Sequence, residues 1–214
     1  MSQLKGLKHF YIPDEQSIYL LSHADAKKLK DWVSLCMAEL KSLGYINIEL
    51  LGKGAFGFAF SGKSPNGEQR VFKFSRITLP QHIRERLEEE AFMLSHVEHE
   101  YVPRFIEYQQ IKKQSILVMA QAPGEDLEKV SLRLGPLPPR VIVKIAVQVG
   151  QLLFHLKHFV DKGLEKPIVH GDIKPSNLVW DAENECIGLI DWGSSVFAQT
   201  DASGQFITNN VMDL

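Results

Sequence analysis

With 24 Lys+Arg against 26 Asp+Glu, the 214-residue chain carries a net charge of −2 and gives no reason to expect nucleic acid or an anionic membrane as its main partner. At 44% hydrophobic and 23% charged, it can build a real core, in one large domain or two small lobes. No run of about 18 apolar residues is present, and the N-terminal MSQLKGLKHFYIPDEQ lacks a signal-peptide stretch, so a cytoplasmic protein is expected. Cys36 and Cys186 make neither a zinc spacing nor a disulfide framework and read as reduced thiols in or near the core.

Residues 1–22 read as a short extended segment, with HFYIP and SIYLL around the turn Asp14-Glu15-Gln16. Residues 24–43 read as a helix whose apolar face carries Leu29, Trp32, Val33, Cys36, Leu40 and Leu43, ended by Gly44. Trp32 is expected to pack against the next domain. From 46 to 120 the texture is β-type: INIELLGKG, AFGFAFSG and QRVFKFSR, with Ser64-Pro65-Asn66-Gly67 turning between the last two. A helix over 81–97 interrupts them, and strands at 105–110 and 116–120 flank a turn at Lys112-Lys113-Gln114. Ala122-Pro-Gly-Glu-Asp reads as a linker. Pro138-Pro139 opens a helix to about 162, apolar at Val143, Ala146, Val147, Gly150, Leu153, Phe154 and Leu156. IVHGD, a loop, NLVW, the turn Asp181–Glu185 and CIGLID complete the order.

Leu51-Gly52-Lys53-Gly54-Ala55-Phe56-Gly57 is a G-x-G-x-x-G run. Dinucleotide-binding folds use the same spacing, but there the glycines lead into a helix. Here β-type sequence flanks the run on both sides, which reads as a glycine-rich hairpin over phosphates, where backbone amides must approach without side chains in the way. Lys73, 16 residues beyond Gly57, sits among Val71, Phe72 and Phe74 at an inward-facing strand position. An ammonium there needs a partner, and phosphate and a carboxylate would both serve. Glu90 is the best carboxylate candidate because Leu87, Ala91, Phe92 and Leu94 form an apolar stripe around it; Glu88 and Glu89 are the alternatives.

The order of glycine-rich hairpin, strand lysine, helix glutamate, His170-Gly-Asp-Ile-Lys-Pro-Ser-Asn177 and Asp191-Trp-Gly193 resembles the protein-kinase signature set over about 50–195. The resemblance implies ATP and Mg²⁺ as cofactors. It makes Asp172 the group that orients or accepts the proton of the attacking hydroxyl, and Lys174 the neutraliser of the transferring phosphoryl. Asn177 and Asp191 become Mg²⁺ ligands, with Lys73 and Glu90 as the paired phosphate anchor. Phosphoryl transfer asks for this kind of set because it needs positioning and charge neutralisation more than covalent chemistry. The adenine pocket would take Leu51, Ala59, Val71 and Met119, with Ala120-Gln121-Ala122 as the hinge; Gly52, Gly54 and Gly57 would lie over the phosphates. Ala59 and Val71 stand exchanged relative to the usual valine and alanine. His170 and Trp192 would be packing residues.

Three features depart from the pattern. Gly171 stands where the family has an arginine that pairs with an activation-loop phosphate, so activity independent of that phosphate is expected. Trp192 replaces a phenylalanine and would restrain its segment. The sequence runs 23 residues beyond Asp191, short of a complete large lobe, and its apolar ending at Val211, Met212 and Leu214 favours a piece of a longer chain. The fold implied is α+β and bilobal, like a protein kinase. An N-terminal extension with a helix would occupy 1–45. A small lobe of about five antiparallel strands plus one helix would occupy 46–121, and a mainly helical, incomplete large lobe 122–214. The function implied is Ser/Thr-type phosphorylation of protein hydroxyls on substrates the sequence does not name. H-G-D and I-D-W-G also suit a small-molecule phosphotransferase of the aminoglycoside or choline kinase type, although Lys174-Pro175 does not. A pseudokinase scaffold is the non-enzyme alternative.

Overall fold

The computed structural model describes residues 23–53, 57–75, 81–111 and 114–198. The expectations placed on residues 1–22, Gly54, Lys112, Lys113, the Leu29 side chain and the closing run from Thr208 lie outside them. Two compact units form, one from residues up to Ala91 with Arg104–Gln121, the other from Phe92–Pro103 with residues from Ala122 onward.

In the first unit, α1 (His23–Ser42) precedes β1 (Ile46–Lys53), β2 (Gly57–Lys63) and β3 (Gln69–Ser75). Helix α2 (Gln81–His96) begins here, and β4 (Phe105–Ile111) and β5 (Gln114–Ala120) complete a five-stranded antiparallel sheet in the order β1-β2-β3-β5-β4. Gly44 ends α1 by turning to φ +91°, which lets its N–H and that of Tyr45 bond the Lys41 and Leu40 carbonyls. The β2–β3 turn is closed by the Ser64 hydroxyl, which donates to the Glu68 carbonyl at 3.0 Å.

Period-two alternation sends Phe58, Phe60, Phe72 and Phe74 to one face of the sheet and Ala59, Val71 and Lys73 to the other. The phenylalanine face is covered by α1. Trp32, Cys36 and Leu40 join those four rings, Ile116 and Val118 in one core. Each large side chain withdrawn from water there contributes about 1.5–3 kcal/mol.

The second unit holds short strands around two helices. β6 (Glu125–Asp126) leads into α3 (Leu127–Leu134) and α4 (Pro139–Lys157). A hairpin of β7 (Val160–Asp161) and β8 (Leu164–Glu165) comes next, then β9 (Ile168–Val169), a 3₁₀ turn at Pro175–Asn177, β10 (Leu178–Asp181), β11 (Cys186–Leu189) and β12 (Val196–Phe197). The strands pair as β11-β10-β6 and β12-β9.

Four local expectations need correction. The 122–126 linker contains β6, paired with β10, and Asp126 then caps α3 by accepting the Lys129 N–H at 2.9 Å. The long helix stops at Lys157, where the His158 N–H bonds the Phe154 and His155 carbonyls, and Lys162 and Gly163, both at positive φ, then turn the chain through a hairpin. On α4 the buried face is Ile145, Leu152 and Leu156, so of the residues expected inside only Leu156 is; Val143, Val147, Leu153 and Phe154 face outward. On α2 the stripe beside Glu90 is Ala91, Met93 and Leu94, while Phe92 is half exposed.

Candidate functional site

In the first unit β3 carries Lys73 and α2 carries Glu90. The Lys73 Nζ donates to Glu90 Oε1 at 2.5 Å, and Glu90 is 3% exposed, whereas Glu88 and Glu89 lie on the surface. The pair is largely withdrawn from water, the Lys73 side chain 21% exposed and that of Glu90 5%. Across the strands Ala59 lies opposite Lys73, and Val71 opposite both Ser61 and Met119, so Ala59, Val71, Lys73 and Met119 share one face.

At the glycine-rich run, Gly52 has open space where a Cβ would stand. Gly57 has none, since a Cβ there would lie 1.9 Å from the Phe74 carbonyl oxygen. That glycine is therefore demanded by strand packing. Leu51 is exposed at an irregularity in the β1–β2 pairing, and Gly54 lies outside the described residues. At the end of β5 the N–H groups of Ala120 and of Gln121, the next residue, are spent on the Arg104 and Gln69 carbonyls. Ala122, which opens the second unit, is half-buried.

The second unit gathers Asp172, Lys174 and Asn177 between β9 and β10. Lys174 Nζ donates to Asp172 Oδ2 at 2.7 Å. Asn177 Nδ2 donates to the same oxygen and to the Asp172 main-chain carbonyl, each at 2.9 Å. The Lys174 bond is the largest influence on Asp172 and, with help from Asn177, holds its carboxyl below the usual carboxylate range against partial burial. The same bond raises Lys174, whose field also includes Asp191.

Asp191 is tied to this group by the backbone, since the Ile190 N–H bonds the Asn177 carbonyl at 2.9 Å. It holds φ +63°, a left-handed conformation that an aspartate tolerates at some cost and that clusters at functional sites. Beside it Trp192 is 1% exposed; its indole N–H donates to the Leu189 carbonyl at 2.9 Å, and its ring meets His170 edge-on at 4.9 Å.

Two residues around the loop escaped the sequence reading. Ser195 Oγ donates to the His170 carbonyl at 3.2 Å, and the Ser194 carbonyl crowds Gly171 from above. Neither serine belongs to a motif, so nothing in the sequence singles them out.

The chain matches the Protein kinase domain family over residues 45–213. It belongs to the protein kinase family. Among relatives, this kinase-family chain is similar to mitogen-activated protein kinase kinase kinase 3 of Arabidopsis thaliana, 30% identical over 73% of this chain and 24% of the relative. It is also similar to serine/threonine-protein kinase pkn2 of Myxococcus xanthus, 31% identical over 72% of this chain and 18% of the relative. Serine/threonine-protein kinase PknH of Mycobacterium bovis is 27% identical over 67% of this chain and 23% of its own length. The chain thus spans a quarter or less of the length of these curated relatives. No helix among the described residues is long and apolar enough to cross a membrane.

Proposed function

We propose that this chain carries out ATP- and Mg²⁺-dependent phosphoryl transfer to Ser/Thr hydroxyls of proteins, itself included. The observation that carries the reading is the shared Asp172 oxygen, bonded by both Lys174 and Asn177 in a chain of the kinase family. Asp172, kept ionised by those bonds, accepts or orients the hydroxyl proton. Lys174 neutralises charge on the transferring group.

Residues 46–121 act as the nucleotide lobe and 122–214 as the catalytic part, with the helix of 1–45 as an extension. Lys73, oriented by Glu90, meets the phosphates, as do the amides of Gly52, Gly54 and Gly57. Leu51, Ala59, Val71 and Met119 enclose the adenine, and Gln121 and Ala122 lie along its edge; with the neighbouring amides already bonded, Ala122 is the natural donor. Asn177 and Asp191 are the proposed Mg²⁺ ligands. An ion held by two protein ligands would complete its shell with phosphate oxygens and water. When bound, Mg²⁺ offsets phosphate charge.

Gly171 supports activity without an activation-loop phosphate: phosphatase treatment leaves the rate unchanged, and a rate abolished by it would overturn this part. Labelled ATP with Mg²⁺, protein substrates and a panel of small alcohols and amines tests the whole reading. Label enters protein, and Asp172→Ala or Lys73→Ala lowers the rate by about 10²–10⁴. Transfer to small molecules alone would instead support the aminoglycoside-type reading that Gly171 and Trp192 favour. Nucleotide binding without transfer would support a scaffold.

A further inference from the structure

Helix α1 precedes the residues that match the kinase family, yet it supplies part of the core of the first unit. Its position is specific. The Trp32 ring lies 4.6 Å from the ring of Phe58 and 6.3 Å, edge-on, from that of Phe74. Phe58 and Phe74 are direct cross-strand partners, and Phe58 also pairs with Lys53 of β1. These residues are the base of the glycine-rich hairpin: Lys53 is the last residue of β1 and Phe58 comes directly after Gly57, the first of β2. At that point the backbone of β2 is pressed against β3, because no Cβ fits at Gly57.

We infer that Trp32 is a positioning residue for phosphate binding: α1 clamps the root of the glycine-rich hairpin from the face opposite Lys73. The inference deepens the nucleotide-site reading above and rests on it. A hairpin that must hold its amides over phosphate oxygens gains from a fixed root, since the hairpin itself is two strands and a glycine turn with little intrinsic stiffness. Trp32, Phe58 and Phe74 are all at most 3% exposed, so the clamp is a packed contact and not a surface one. The rest of α1 serves the core generally. Leu40 is fully buried in the same cluster, about 12 Å further along the helix axis.

That separation gives the test. KM for ATP and kcat are measured for Trp32→Ala, Trp32→Phe and Leu40→Ala, each below its own melting temperature. Trp32→Ala raises KM about ten-fold with kcat unchanged, as expected when a binding element loses its placement. Trp32→Phe, which keeps a ring against Phe58, restores KM. Leu40→Ala lowers the melting temperature and leaves KM alone. A Trp32→Ala chain that melts earlier but keeps its KM, or a Leu40→Ala chain whose KM rises equally, overturns the inference. If Trp32→Ala does not fold, Trp32→Leu makes the same comparison. If the unmodified chain binds no nucleotide, the site reading fails instead. Amide exchange at Gly57 and Phe58 then decides on the clamp, which requires it to be faster in Trp32→Ala and unchanged in Leu40→Ala.

Discussion

A side chain at position 171 would have to share space with the Ser194 carbonyl. A Cβ there would lie 2.6 Å from that oxygen, and the backbone φ of +82° adds strain for any L-residue. Gly171→Ala is therefore expected to cost about 1–3 kcal/mol in chemical denaturation, and Gly171→Arg no less. An arginine placed there would strain the loop. One position further on, the bonded Asp172 carries a pH consequence. Its folded-state pKa is depressed, so its stabilising contribution is present above the ordinary aspartate value and is lost as pH falls through the folded value. Lys174→Ala removes the largest cause, and the Asp172 carboxyl should then titrate at higher pH, as followed by carboxylate NMR. Residues at this scale were legible where chemistry dictated them. A lysine among apolar strand neighbours needed a partner, phosphate or carboxylate, and of the α2 glutamates Glu90 was the one flanked by apolar residues; the structure pairs the two. The Ser194 carbonyl was not legible, because a backbone contact leaves no mark on residue type.

At the scale of elements, α4 shows how periodicity can mislead. Its sequence is apolar on both sides, and its polar residues Lys144 and Gln148 are bound inward to Glu185 and Ile187. The more continuous stripe through Val143, Val147 and Phe154 proves to be the outer one, with Phe154 67% exposed and Leu152 1%. Leu152→Ala should cost about 2–5 kcal/mol in denaturant unfolding, while Phe154→Lys should stay within about 0.5 kcal/mol. The reverse order would mean that the outer face is buried by something else in solution. β6 and α3 were missed for another reason. Pro-Gly-Glu-Asp has the composition of a loop, and a two-residue strand is too short to show alternation; only the Asp126 side chain, as a cap, hinted at the helix behind it. The five strands of the first unit were legible because alternation, glycine turns and length all agreed there.

For the whole molecule, the family match begins at residue 45, but the fold of the first unit does not. Trp32, Cys36 and Leu40 are each at most 3% exposed, so removing α1 opens an aromatic sheet face to water. A chain lacking residues 1–43 should melt far below the full chain or aggregate, as read by circular dichroism and light scattering; a melting temperature within a few degrees would contradict the packing. The kinase resemblance was legible because its five motifs come in a fixed order along the chain. The dependence on α1 was half legible: an amphipathic helix was expected to pack Trp32 against the next domain, but the phenylalanine rings that receive it were not singled out.

The strand order has one more consequence. β3 lies in the middle of the sheet, between β2 and β5, yet β5 ends 45 residues after β3 does. On a ribosome adding about 5–20 residues per second, that edge waits roughly 2–9 s for its neighbour. For that interval Arg70–Ser75 presents an open hydrogen-bonding edge studded with Phe72 and Phe74. The nascent chain passes through a window in which a chaperone, or another emerging copy, competes with its own later strand.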